Sequence, residues 1–193
     1  MAVLNPTARC RAASLWLMLF VLLPGEGMNL AAQTASKEYQ VKAAFLFNFI
    51  QFVQWPPMIF TNTDEPFRIG VLGENPFDTA LEETVQGETI GNHKIIVERA
   101  QAVGELANCQ VIFISKSEKK HVTEILSALG TKPVLSVSEI EGFAGRGGSI
   151  NFYLEGSKVR FEINPAAAQR DGLKVSSQLL TLGKIVETAK EAK

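Results

Sequence analysis

From Glu38 to Pro57 the chain reads EYQVKAAFLFNFIQFVQWPP, and apolar residues fall on nearly every side of the helix that this spacing predicts. Between Ala43 and Val53 only Asn48 and Gln51 are strongly polar. Phe45, Phe47, Phe49 and Phe52 crowd eight positions, and Trp55 follows. A surface helix carries one apolar stripe and one wet face. This helix offers little wet face, so its own domain or a partner must cover it. Burying one Phe contributes roughly 1.5–3 kcal/mol, which makes leaving several exposed costly. The run is too short and too interrupted to cross a bilayer, which needs about 20 predominantly apolar residues. Pro56-Pro57 ends the helical pattern.

Beyond a polar loop at residues 61–65, Phe67–Leu72 (FRIGVL) reads as a strand turned by Gly73-Glu74-Asn75-Pro76. Asn75 with Pro76 at the first helical position predicts a helix to about Val85. Residues 87–93 read as a loop or hairpin, Lys94–Arg99 as a strand, and Ala102–Ala107 as a short helix. Gln110–Ser115 (QVIFIS) has the continuous apolar centre of a strand covered on both faces. Ser117 predicts a cap for a helix to about Leu129, ended by Gly130, although Lys120 stands where a capping box wants Glu. Pro133–Val137 is a further strand. Strand and helix thus alternate about every 20 residues, the rhythm of a parallel sheet with right-handed crossovers. The rhythm then changes. Ser149–Leu154 and Lys158–Ile163 flank Glu155-Gly156-Ser157 and read as a hairpin with a three-residue loop. In Lys158–Ile163 charged and apolar residues alternate, as in a half-buried edge strand whose charges discourage aggregation. Asn164 and Pro165 begin a short helix that Gly172 ends. Residues 175–190 read as a last amphipathic helix, with Leu179, Leu180, Leu182, Ile185 and Val186 as its apolar set. The expected fold is α/β: a three-layer, Rossmann-like sandwich with a mixed, mostly parallel sheet and a C-terminal β-hairpin.

The first residues read differently. Arg9 and Arg11 precede the apolar run Leu15–Leu23, Pro24-Gly25 breaks it, and Ala31-Ala32 follows. That is the order of a secretory signal peptide. Residues 1–32 are the expected signal and 33–193 a single α/β domain, with cleavage between Ala32 and Ala35. The alternative is an uncleaved anchor. Cys10 precedes the apolar run, so it is no lipoprotein acylation site. The full chain has 193 residues and a net charge of −1, with no electrostatic footprint for nucleic acid. Losing residues 1–32 removes Arg9, Arg11 and Glu26 and makes the remainder one unit more negative. Cys109 is then the one cysteine left, so no internal disulfide can form. It precedes the run Val111–Ile114 and reads as a buried small hydrophobe, with a reactive or intermolecular thiol as the other reading.

Candidate chemistry is sparse. Gly70-Val71-Leu72-Gly73 lies at a strand-to-helix turn but lacks the G-x-G-x-x-G spacing of a dinucleotide loop. Gly145-Arg146-Gly147-Gly148 suits either an anion-binding nest or a plain turn into the next strand. His93 and His121 have no second ligand at metal-binding spacing. There is no G-x-S-x-G elbow and no paired acid and base. Neither a catalytic residue, a metal nor a cofactor is expected.

Several strings together carry a family resemblance: YQVKAAFLFNFIQFVQWP, FRIGVLGENPF, CQVIFIS, PVLSVSEIEGFAGRGGSINFYLEGSKVRFEIN and GLKVSSQLLTLGKIV. In this order they resemble the YfiR-type periplasmic regulators. The resemblance implies an α/β sandwich exported to the periplasm. It further implies a non-enzymatic repressor that binds the sensor domain of an inner-membrane diguanylate cyclase and lowers cyclic di-GMP and biofilm formation. A homodimer is expected, with no membrane insertion after signal cleavage. Some members carry cysteine pairs that support the fold; Ala144 and Asn151 stand in the corresponding region here, which puts redox sensing by an internal disulfide in doubt. The partner could instead be another membrane receptor, such as a histidine kinase.

The expected partner-binding residues are Phe47, Ile50 and Trp55, with Arg160 and the segment Arg170 to Lys174 as polar rim. All three apolar residues could equally be core. A rival reading is a small-ligand sensor. There Phe52, Trp55 and Tyr153 line a pocket, and Arg146 or Arg170 holds an anion.

Overall fold

The apolar runs FRIGVL and VIFI form the middle of a sheet that needs cover on both faces. The computed structural model describes residues 27–189 apart from 58, 61 and 63. Residues 1–26, which hold the apolar core of the expected export signal, lie outside it. Strands run β1 (Val53–Gln54), β2 (Phe67–Leu72), β3 (Thr89–Ile90), β4 (His93–Ala100), β5 (Val111–Ile114), β6 (Leu135–Ser138), β7 (Ile150–Glu155), β8 (Lys158–Ile163), β9 (Lys174–Val175) and β10 (Lys184–Ile185). Helices are α1 (Gly27–Phe52), α2 (Ala80–Val85), α3 (Val122–Leu129), α4 (Pro165–Arg170) and α5 (Ser177–Leu182). The main sheet has the order β10-β8-β7-β6-β5-β2-β4-β3, and β1 pairs with β9 alone. β4, β2, β5, β6 and β7 are mutually parallel, while the hairpin pairs β7–β8 and β3–β4 are antiparallel.

Successive side chains of a strand point to opposite faces. Phe67, Ile69, Val71, Val111, Phe113, Leu135 and Val137 therefore join α1, α2 and α5 in one core. Leu72, Ile112 and Ile114 join Val122, Ile125 and Leu129 of α3 in a second. The result is a three-layer α/β sandwich with a mostly parallel sheet. Among the described residues no helix is long and apolar enough to cross a membrane.

α1 is less uniformly covered than its composition predicts. Ala43, Leu46, Phe49, Ile50 and Val53 are buried at three- and four-residue spacing. Gln40, Val41, Ala44, Asn48 and Gln51 form an exposed face opposite them. The wet face exists because alanine, amide and one valine side chain fall on it together.

Other departures have local causes. Asn75 does not cap a helix: its Oδ1 accepts from Phe77 N at 3.1 Å, Asp78 takes φ +54°, and α2 starts only at Ala80. Ser117 lies in a 3₁₀ turn, Lys116–Glu118, and α3 starts at Val122 and ends at Gly130 as expected. Asn164 caps α4 through Ala167 N at 3.0 Å, with Pro165 following. The hairpin loop is two residues, because Glu155 pairs with Lys158 and leaves Gly156-Ser157. Lys158–Ile163 is not a plain edge strand, since β10 pairs alongside Glu162 and Ile163.

The expected helix over residues 175–190 is the largest correction. Among its described residues only Ser177–Leu182 are helical, and the chain then enters β10. Gly183 makes the difference. A Cβ there would lie 2.6 Å from the Phe161 ring and 2.9 Å from Ile163. The chain passes so close to β8 that only glycine fits, and that approach delivers Lys184 and Ile185 to the sheet.

Candidate recognition surface

β6 pairs with β7 only through Ile150 and Asn151, so the rest of the β7–β8 hairpin projects beyond the carboxyl ends of the parallel strands. The inward faces of this projection are Phe152 and Phe161, and α1 supplies Phe45 and Phe49 against them. Phe49 lies 5.6 Å from Phe152 and 5.0 Å from Phe161, ring centre to ring centre. Phe45 stacks on Phe49 at 5.9 Å and meets Phe161 edge-on at 5.3 Å. These ring pairs fix where the second half of α1 meets the hairpin.

The outer side of this junction is an apolar groove of about 680 Å³, with Val41, Phe45, Leu154 and Val159 along it. Val41 is 44% exposed and Leu154 50%. Lys37, Lys158 and Arg160 rim the groove, and Arg160 Nε donates to Glu155 at 3.1 Å.

Beside the groove sits a buried charge network. Lys42 is 2% exposed, and its ammonium donates to Glu38 and Glu139. The Glu139 side chain is 3% exposed; it accepts from Tyr39 Oη at 2.8 Å and lies 3.5 Å from Lys116 Nζ. Burial and the Glu139 carboxylate push the Tyr39 phenol well above its ordinary pKa, so it stays a donor. Burying ions in this way costs more than an apolar core of equal volume would. Sequence reasoning missed Lys42 and Glu139 because 97 positions separate them. One signal was present: Lys42 falls on the stripe of Tyr39, Leu46 and Phe49, where an unpaired charge is untenable.

The residues expected to bind a partner do not form one patch. Arg160 rims the groove. Ile50 is 1% exposed and packed in the core, so it presents nothing to a partner. Phe47 and Phe52 are half-buried against the same core. Trp55 meets Phe67 edge-on at 5.2 Å and donates to Ile50 O at 3.3 Å. Arg170 folds back to donate to Asp171 and to Gly147 O. Burial pushes the Asp171 carboxyl up, with Arg170 opposing it. Lys174 pairs opposite Gln54. Trp55 and Lys174 thus sit at the far end of α1, roughly 20 Å from Val41 at 1.5 Å per helical residue.

The residues of the rival pocket are also dispersed. Tyr153 lines a cavity that Phe52 and Arg146 do not reach. Arg146 donates to Thr123 Oγ1 at 3.1 Å. The glycines beside it serve the turn: Gly147 has φ +101° after the 3₁₀ turn, and Gly148 packs on the Phe143 ring, leaving no room for a Cβ. Gly70 likewise serves packing, since a Cβ there would lie 2.9 Å from Leu106.

One comparison with known proteins decides the family. The family model described as YfiR/HmsC-like matches residues 39–184. The chain belongs to the YfiR/HmsC-like family. The match opens at Tyr39, inside the charge network, and closes at Lys184 in β10. The YfiR/HmsC-like proteins are periplasmic, non-catalytic regulators that act on membrane signalling proteins, and this chain is a regulator of that general kind.

Within this YfiR/HmsC-like fold Cys109 is 2% exposed. Burial first, then the Glu98 carboxylate, push its thiol from 9.0 up to about 12. The folded thiol holds its proton more tightly than the unfolded one. Its contribution to stability is complete below pH 9 and is lost as pH rises towards 12. At pH 8 the native protein should therefore resist iodoacetamide, and label readily once unfolded in guanidinium. Equal labelling rates in the two states would contradict this environment.

Proposed function

We propose that this chain is exported by a signal in residues 1–32 and acts in the periplasm as a non-enzymatic, homodimeric repressor. It binds the sensor domain of an inner-membrane diguanylate cyclase and lowers cyclic di-GMP and biofilm formation. The observation that supports this reading best is the groove between α1 and the hairpin. It combines exposed Val41 and Leu154 with a basic rim of Lys37, Lys158 and Arg160. Apolar anchors inside a polar rim are the usual anatomy of a protein interface. The repressor acts by favouring one conformation of its receptor, and the shift can be no larger than its differential affinity for the two states.

The test is direct binding of the purified mature protein to periplasmic domains of membrane cyclases. Leu154→Asp should weaken binding about 30-fold, the loss of a hot spot worth about 2 kcal/mol. Its melting temperature should be unchanged, because Leu154 is half exposed. Failure to bind any such domain, with cyclic di-GMP unaltered on deletion, would defeat the reading.

A further inference from the structure

In open α/β sheets ligands bind outside the carboxyl ends of the strands. Here that position, between the end of β6 and the projecting hairpin, holds a cavity of about 510 Å³. A small organic molecule fits such a volume. Its charged lining is Glu38, Glu139, Glu141 and Glu162 against Lys42, Lys116 and Lys184. The three cations are engaged. Lys42 pairs with Glu38 and Glu139, Lys116 faces Glu139, and Lys184 donates to Glu162 at 2.8 Å. Glu141 has no cation beside it among the described residues, and it leaves the lining one carboxylate in excess.

Asn151 is an independent observation. It is 2% exposed and lines the cavity. Its Nδ2 lies 3.3, 3.0 and 3.1 Å from the carbonyl oxygens of Ser138, Ile140 and Phe152. Three carbonyls around one nitrogen fix the orientation of the amide. Its Oδ1 then accepts from no described residue. Both open groups, Glu141 and Asn151 Oδ1, are acceptors. Their complement is a donor that carries positive charge. Tyr153, 37% exposed, and Leu154 add an aromatic and an aliphatic wall. An aromatic face also attracts an ammonium or guanidinium within about 6 Å.

We propose that this cavity binds a small organic cation, a primary ammonium or guanidinium on a short apolar body. The ammonium sits between Glu141 and Asn151 Oδ1, and its apolar body lies along Tyr153 and Leu154. This inference does not depend on the identity of the membrane partner.

The experiment is calorimetric titration of the purified protein with phenethylamine at neutral pH, beside 3-phenylpropionate as an anion of like size. Saturable binding is expected for the cation and none for the anion. Glu141→Gln should weaken the cation at least tenfold; Glu141 is exposed, so the fold is undisturbed. Glu83→Gln, which removes an exposed carboxylate on α2, should leave binding unchanged. Equal binding of the anion, an unaltered affinity in Glu141→Gln, or no saturation at millimolar phenethylamine would each overturn the proposal.

Discussion

Lys42→Met is expected to destabilise the fold by about 3–5 kcal/mol, the cost of leaving a buried charge without its partner. Lys42 is 2% exposed and the Glu139 side chain 3%, so water cannot replace the lost ammonium. Lys116 lies 3.5 Å from Glu139, but its side chain is 64% exposed and well solvated. It is a weak substitute. A domain of ordinary size has only about 5–15 kcal/mol in total, so the loss is a large fraction. Urea unfolding at neutral pH reads it directly. The double variant Lys42→Met with Glu139→Leu should recover most of the loss, because it removes the stranded carboxylate and keeps the volume. A single variant that loses less than about 1 kcal/mol would show that the network is open to water.

Phe49→Ala is expected to cost about 3–5 kcal/mol, as large-to-small changes at fully buried aromatic positions do. Phe49 has no exposed surface. Its ring meets Phe45, Phe152 and Phe161, which are the contacts that hold the hairpin to α1. The loss should therefore be local as well as global. Amide exchange in β7 and β8 should accelerate more than in β2 and β5, whose ring contacts run through Trp55 and Phe77 instead. Uniform acceleration across the sheet would mean that the hairpin is not separately anchored there. Partner binding should fall with it, since Leu154 and Val159 of the groove ride on the same hairpin.

Much of the scaffold was legible because it rests on short-range chemistry. Phe67–Leu72 is read residue for residue, since six consecutive positions suit a strand covered on both faces. Asn164 followed by Pro165 marks the start of α4, because a side-chain cap and a fixed φ act within one turn. The site was less legible. Ile50 and Arg160 were both candidates, yet helix rotation buries the first and strand register exposes the second. Position in the sequence does not distinguish them, because both elements carry apolar residues on more than one side.

By itself the sequence determined the alternation of strands and helices, the apolar runs of the sheet centre, the hairpin and the family. The elements follow from patterns within about 20 residues, where backbone geometry and burial act together, and the family from the order of such strings along the chain. Only the tertiary structure decided that Lys42 meets Glu139, that Gly183 lets the chain pass Phe161 into β10, and that α1 and the hairpin enclose a groove. Each depends on the close approach of segments that lie far apart along the chain or meet side by side across the sheet. Packing sets such approaches to within a fraction of an ångström, and no local pattern encodes them.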